Sequence, residues 1–315
     1  MRVWNSVADE GSGFLFSLSD SLRIVENANP GLLNSLSQGQ LIISSDYSGQ
    51  HKDATHEAYT FLLTTDEDLR NWLPALADFR QSNLPDGRRI SFKNSNEKLR
   101  RAALPKFLTL VGKLRCNLVT ILVDREVGSF SGIDRARMAA ALPDCFPPTA
   151  TDGTVEKMLR LASFVALILA GLRQETQPSF WISDHDEALD SFAKREHFSK
   201  LATYLTFGLT KWLSAADHVF GTTEMEDAPF WAEDLAAVPD IVAGAYCKMA
   251  HFLPSVLGRE NWVAGVSSDS VLDWRARLVG NWLALGSVGM KHVLLRLERM
   301  EDGSVASSAQ AFMSH

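Results

Sequence analysis

Four aspartates occupy positions at which a fold could bring carboxylates together. Asp46, Asp124 and Asp184 each follow a short apolar run typical of a buried β-strand, and Asp240 stands at the predicted start of a helix. Neighbouring strand ends converge at one edge of a sheet. Because two divalent cations about 4 Å apart need several carboxylates in one small space, this spacing predicts a metal site built from all four residues. Mg²⁺ suits such oxygen ligands.

Each of these aspartates also has an ordinary explanation. Asp is common directly after strands because its side chain favours turns. One member taken alone is more often a turn residue than a ligand, so the joint pattern carries the prediction. Without a cation, the gathered carboxylates would cost stability through like-charge repulsion.

Positive charge is concentrated in one part of an acidic chain. The net charge of −7 argues against a strong, sequence-independent nucleic-acid binder. Basic residues nevertheless outnumber acidic ones clearly between Arg88 and Arg115. This basic stretch could bind nucleic acid or another phosphate-bearing ligand, or it could be a solvated helix face.

Hydrophobic periodicity predicts the elements that would position these residues. Strands are predicted at Gln40–Asp46, Glu57–Thr64, Arg88–Lys93, Asn117–Val123, Ser179–Ser183 and His218–Thr223. Helices are predicted at Ser17–Asn27, Thr65–Ser82, Asn96–Leu114, Asp134–Leu142, Val155–Arg173, Asp190–Thr210, Ala236–Leu253, Ser270–Leu285 and near Lys291–Met300. This order favours an α/β fold with a mixed sheet.

The same pattern divides the chain into one large domain with additions at both ends. An N-terminal extension covers residues 1–39, and the α/β domain covers 40–255 with a loop insertion at 128–154. C-terminal helices are expected over 256–302, and a flexible tail over 303–315. The C-terminal helices are apolar enough to predict a homodimer contact.

Composition bears on the compartment and on other chemistries. No apolar run approaches the roughly 20 residues needed to span a bilayer, and no secretory signal is visible, so we expect no membrane partner. Cys116, Cys145 and Cys247 are far apart and lack metal-ligand spacing, which favours a reducing cytoplasm. Neither a glycine-rich phosphate loop nor a G-x-S-x-G elbow occurs.

The order of these motifs resembles that of a known family. Asp46-Tyr47-Ser48-Gly49 is similar to the opening D-E-S-G of a widespread bacterial group, the domain of unknown function numbered thirty-eight hundred. In that group a strand with a lysine follows, matched here by Ile90–Lys93. Two strands that end in an acid come next, matched by Ile121–Asp124 and Trp181–Asp184. The last motif is a helix start of the form A-D-L-(L/V)-A-G, matched by Pro239–Gly244. The resemblance covers roughly residues 40 to 250.

The resemblance implies a fold and a chemistry. The fold would be an RNase H-like mixed sheet flanked by helices, and the activity would be metal-dependent cleavage of phosphodiester bonds with Mg²⁺ or Mn²⁺. Asp46, Asp124 and Asp240 would be the main ligands and Asp184 a further one. Lys93 would contact phosphate or the developing charge, with a solvated strand-end lysine as the alternative. Analogy with the family extends to defence against mobile DNA.

One departure from the family pattern lies in the first motif. Tyr47 stands where the family has Glu, which removes one carboxylate beside Asp46. Glu57 or Asp53 could substitute for it, or the site could be weaker. The chain therefore fits a nuclease or related phosphodiester hydrolase, and also a non-catalytic RNase H-like binding or assembly protein with a degenerate site. A hydrolase of small phosphorylated metabolites is a third hypothesis.

A second departure concerns the last acid. Asp234 competes with Asp240 for that role. We favour Asp240 because Gly244 follows four residues later on the same helical face and permits close approach to the sheet. His185, next to Asp184, is a further candidate ligand or general base.

Overall fold

A mixed seven-stranded sheet organises the computed structural model, which describes residues 3–7, 13–129, 135–147, 150–184, 192–210, 218–224, 231–252 and 272–312. The strands are β1 (Leu41–Ser48), β2 (His56–Thr65), β3 (Cys116–Asp124), β4 (Ser179–Ser183), β5 (His218–Thr222), β6 (Met290–Arg299) and β7 (Val305–Phe312). Their order is β5-β4-β1-β2-β3-β6-β7. β1, β2 and β3 form an antiparallel meander, whereas β4 is parallel to β1 and to β5. The predicted α/β class with a mixed sheet is confirmed.

Helices cover both faces of this sheet. They are α1 (Phe14–Ala28), α2 (Asp66–Asn83), α3 (Lys98–Val111), α4 (Arg135–Ala141), α5 (Asp152–Leu172), α6 (Phe192–Thr210), α7 (Ala232–Phe252) and α8 (Trp274–Leu285). One core lies between the sheet and α1, α5 and α6, and the other between the sheet and α2, α3, α7 and α8. Successive strand residues alternate between these cores, as Ile42 and Ile43 do. Among the described residues, no helix is long and apolar enough to cross a membrane.

Most predicted elements are confirmed within a few residues. β4 has the predicted bounds. α2 begins after Thr65, whose side chain accepts a hydrogen bond from the backbone N–H of Asp68 and caps the helix. α7 begins earlier than predicted and contains Pro239, so Asp240 lies within the helix and not at its start.

The predicted strand Arg88–Lys93 is wrong, because this segment is irregular. Its apolar residues are buried as a strand's would be, with Ile90 and Phe92 in the core beneath α7. Its backbone, however, is bonded to side chains. Arg80 donates to the carbonyls of Gly87 and Arg88, and Arg100 donates to that of Arg89. Arginine side chains therefore supply partners that a neighbouring strand would otherwise provide.

The C-terminal prediction is also wrong in part. The segment near Lys291–Met300, predicted as a helix, forms β6 between β3 and β7. The tail predicted as flexible from 303 contains β7. A short apolar run such as Val293–Leu297 does not distinguish a helix from a fully buried strand. The apolar residues of β6 are buried within the chain, whereas Leu285 and Val288 before it are exposed, and the homodimer contact stays a prediction.

The N-terminal segment is part of the main fold and not an extension. Leu18 and Leu22 of α1 are fully buried in the core shared with α5. The carboxylate of Glu26 accepts hydrogen bonds from the backbone N–H groups of Val3 and Trp4. The Trp4 ring, which is 1% exposed, is thereby fixed in that core.

Gly244 provides a test of the packing between α7 and the irregular segment. A Cβ at Gly244 would lie 2.5 Å from Cγ of Phe92, so the close approach is to this ring and not to the sheet as predicted. We expect Gly244→Ala to lower the free energy of unfolding by about 1–3 kcal/mol through overpacking. Urea denaturation measures the change.

Gly208 in α6 is the matched control. A Cβ there meets no atom of the described residues within 4 Å. Gly208→Ala should therefore be neutral or gain up to roughly 0.5–1 kcal/mol from helix propensity. Equal effects at the two glycines would contradict the packing argument.

Candidate functional site

Three of the four predicted acids converge on the α7 side of the sheet. Asp46 lies on β1, Asp184 directly follows β4, and Asp240 projects from α7, which packs over β1 and β2. With the guanidinium of Arg89 they form a group that we call the carboxylate cluster. The cluster joins residues from distant parts of the chain, so it exists only in the folded protein.

The register between β1 and β4 places two of these acids side by side. Ser45 pairs with Ser183 in the parallel ladder, so Asp46 and Asp184 are the next pair along it. The backbone N–H of Asp184 donates to the carbonyl of Ser45 at 3.0 Å, which continues the ladder to this point. Neighbouring strands are about 4.8 Å apart, so the two carboxylates lie close on one face.

Asp240 completes the group from the helix above. Its carboxylate accepts a hydrogen bond from the backbone N–H of Phe92 at 2.7 Å, and its charge acts on the carboxylate of Asp46. Ionisation of either carboxyl group therefore opposes ionisation of the other.

Arg89 supplies positive charge to the cluster. Its Nη2 donates to Oδ2 of Asp184 at 2.6 Å, and Oδ1 of Asp184 accepts from the hydroxyl of Thr223 at 2.8 Å. The Asp184 side chain is 18% exposed and that of Arg89 is 28% exposed, so solvent reaches the pair. The cluster is thus partly buried, which strengthens the electrostatic interactions within it.

The electrostatic cost of this arrangement appears in the pKa values. Burial raises the pKa of Asp46 well above its usual range, and the carboxylates of Asp240 and Asp184 raise it further. Burial also raises the pKa of Asp240, to about 6, against the opposing effects of the Phe92 hydrogen bond and of Arg89. Shifts of this kind are frequent at functional sites and also occur in structural ion-pair networks.

Asp124 does not join the cluster. Asp46 pairs with Thr60 and Thr60 with Thr120, so Asp124 lies two strands across and four residues further along. Strand geometry makes that separation roughly 15 Å. The Asp124 carboxylate instead accepts from the backbone N–H of Glu126 at 2.9 Å and caps a short 3₁₀ turn.

The basic residue at the cluster is Arg89, whereas the sequence pointed to Lys93. Lys93 is exposed in a turn, and its backbone carbonyl accepts from Arg275. Sequence reasoning placed Arg89 in the basic stretch but gave it no role of its own. Nothing local to the Arg88–Lys93 pattern shows which side chain meets Asp184.

Tyr47 and Glu57 point away from the cluster. Both belong to the opposite face of the sheet. There the Tyr47 hydroxyl forms a hydrogen bond with the hydroxyl of Ser183, and the Glu57 carboxylate accepts a hydrogen bond from Nη1 of Arg160 at 2.8 Å. A glutamate at position 47 would also face that side. Tyr47, where the resembled family has Glu, therefore takes no carboxylate from the Asp46 face, and Glu57 does not add one. Asp53 is exposed in the loop after β1.

Asp234, the other candidate for the last acid, forms a separate ion pair. Both of its carboxylate oxygens accept from Arg80, at 2.7 and 2.9 Å, and its side chain is 1% exposed. Arg80 also donates to carbonyls of the irregular segment. Asp234 therefore fixes that segment to α7, and Asp240 is the acid that reaches Asp46. His185 lies outside the described residues.

Two observations limit the metal prediction and the family resemblance. Within the described ranges, no group of three or more His, Cys, Asp and Glu side chains has the spacing of a metal site. Comparisons with protein-family models, with curated proteins and with solved structures found no match. The resemblance thus depends on the motifs alone, and the metal remains a prediction.

Asp240→Asn tests the electrostatic cost of the cluster. Because the pKa of Asp240 is raised from 3.8 to about 6, the folded chain holds more protons than the unfolded chain between these values. Wild-type stability from this group therefore falls as pH rises through that range. Relative to wild type, the variant should gain about 2 kcal/mol of unfolding free energy between about pH 4 and about pH 8. Urea denaturation at both pH values measures this.

Asp234→Asn on the same helix is the control. It removes the charge partner of Arg80 from a largely buried pair, so we expect a loss of about 3 kcal/mol. If the stability of Asp240→Asn relative to wild type does not change with pH, the electrostatic account of the cluster is wrong.

Proposed function

We propose that this protein is a divalent-metal-dependent nuclease or related phosphodiester hydrolase whose site is the carboxylate cluster. The observation that carries the proposal is the convergence of Asp46, Asp184 and Asp240 from two adjacent strands and a helix. Burying carboxylates that repel one another costs free energy unless positive charge compensates them. A bound cation would supply that compensation.

The proposed fold class is RNase H-like. Its support is the antiparallel β1–β2–β3 meander that continues into parallel β4 and β5, with helices on both faces. The acids within β1, directly after β4 and on the helix after β5 agree with the resembled family's motifs at Asp46, Asp184 and Asp240. The set proposed here omits Asp124, because the sheet places it elsewhere.

The chemistry of the donor set suits Mg²⁺ or Mn²⁺, although the described side chains do not have the spacing of a metal site. Both ions prefer oxygen ligands, and the cluster offers three carboxylates and the Thr223 hydroxyl beside one of them. One of the three carboxylates, that of Asp184, is paired with Arg89. When bound, the ion would polarise a phosphodiester oxygen and lower the pKa of water.

The chain's own residues have distinct proposed roles. Asp46 and Asp240, whose pKa values are raised, would lose any proton they hold on binding a cation, since metal ligation requires ionised carboxylates. Asp184 would be the third ligand. Arg89 would orient the phosphate of the substrate, because a guanidinium fork matches phosphate oxygens. Nucleic acid is the proposed substrate, supported by exposed basic residues near Arg89 such as Lys93 and Lys98.

A second candidate is a non-catalytic binding or assembly protein with a degenerate site. The ion pair between Arg89 and Asp184 favours it, because a resident arginine already neutralises part of the cluster. In that case Arg89 would be a permanent structural partner and no metal would be needed. Metal titration distinguishes the two candidates.

The decisive experiment combines Mn²⁺ titration calorimetry with cleavage assays. We expect Asp46→Asn and Asp240→Asn to weaken Mn²⁺ binding and cleavage by at least the roughly 10–100-fold that loss of an outer partner costs. Labelled single-stranded DNA, duplex DNA, RNA and free nucleotides serve as substrates. Cleavage of nucleotides alone would favour a hydrolase of small phosphoesters.

Asp124→Asn is the matched control, since Asp124 ends a strand of the same sheet outside the cluster. It should bind Mn²⁺ and cleave as wild type does. If wild-type protein binds neither Mn²⁺ nor Mg²⁺, the hydrolase proposal is wrong and the binding protein is favoured. If Asp124→Asn is as inactive as Asp46→Asn, the site is assigned wrongly.

A further inference from the structure

We propose that Arg89 is the resident counter-cation of the carboxylate cluster and that its guanidinium leaves Asp184 when a divalent cation binds. This inference rests on the proposed function, since it concerns the regulation of the same site. It makes metal binding an exchange of one positive group for another.

The position of Arg89 fits this role. Its Nη2 contacts Asp184 at 2.6 Å, and its charge also acts on Asp240 and Asp46. It therefore compensates charge where a shared metal ion would do so. A monovalent group compensates three carboxylates only in part.

The pair formed by Arg89 has the geometry of an exchangeable contact. Arg80 provides the contrast, because its Nε and Nη2 both donate to Asp234 and its Nη1 donates to backbone carbonyls. Arg89 donates to Asp184 through Nη2 alone, and its buried Nε has no hydrogen-bond partner among the described residues. All three guanidinium nitrogens of Arg80 thus donate hydrogen bonds, whereas the hydrogen-bonding capacity of the Arg89 guanidinium is only partly used.

Only the side chain of Arg89 needs to move. The carbonyl of Arg89 accepts from Nε of Arg100 at 2.6 Å, and the neighbouring Phe92 N–H is held by Asp240. The backbone is thus fixed on both sides of a partly exposed side chain. After release, the guanidinium would stay beside the cluster, where it can bind a phosphate of the substrate.

The hydroxyl of Ser44 is a second, independent observation beside the cluster. This residue is fully buried, and its hydroxyl has no partner within the described part of the chain. It precedes Asp46 by two residues and faces the same side of β1. A buried hydroxyl without a partner is costly, and a hydrated cation beside Asp46 would bring water that could satisfy it.

Arg89→Gln tests the exchange with Mn²⁺ as the sole ligand. Loss of the competing cation should tighten Mn²⁺ binding by about 5-fold in calorimetry. The melting temperature of the metal-free variant should fall below that of wild type, and saturating Mn²⁺ should bring the two together. Neither readout requires catalytic activity.

Thr223→Val is the matched control. It removes the second hydrogen bond to Asp184 at 2.8 Å without changing charge, so Mn²⁺ binding should not tighten. If Arg89→Gln does not yield folded protein, Arg89→Lys provides the same readouts, with a smaller shift in the same direction because lysine is a point charge without the fork.

Two results would overturn the inference in different ways. If Arg89→Gln lowers the melting temperature equally with and without Mn²⁺ and leaves the affinity unchanged, Arg89 is only structural, while the proposed function stands. If neither wild type nor variant binds Mn²⁺, the proposed function fails and the exchange fails with it.

Discussion

The parallel pairing of β1 with β4 is the constraint on which the candidate site depends. Its register sets Asp46 beside Asp184 on one face of the sheet, and α7, which packs on that face, positions Asp240 next to them. Three carboxylates in a partly buried space repel one another, so protons and a cation must balance them. The raised pKa values of Asp46 and Asp240 and the position of Arg89 all follow from this arrangement.

The alternation of strand side chains explains why neighbours in sequence have different roles. Asp46 faces α7, whereas Tyr47 faces the core with α5 and bonds Ser183. The position of Tyr47, where the resembled family has Glu, therefore belongs to the opposite face of the sheet. The same alternation separates Glu57 from the cluster, although β2 lies directly beside β1.

Sequence reasoning failed where side chains, and not a neighbouring strand, bond the backbone. The Arg88–Lys93 segment alternates like a strand, yet its carbonyls are bonded by Arg80 and Arg100. No local pattern shows that arginine side chains will replace a neighbouring strand. The run at β6 failed differently, since a short apolar run fits both a helix and a buried strand until its neighbours are known.

The sequence by itself determined most elements, the α/β class and the aspartates at the ends of strands, because periodicity and capping act over a few residues. Only the tertiary structure decided which acids meet. It joined Asp46 to Asp184 and Asp240, left Asp124 two strands away, and chose Arg89 over Lys93. The physical reason is that strand order and register are set by long-range pairing and packing, which bring together residues that no sequence spacing relates.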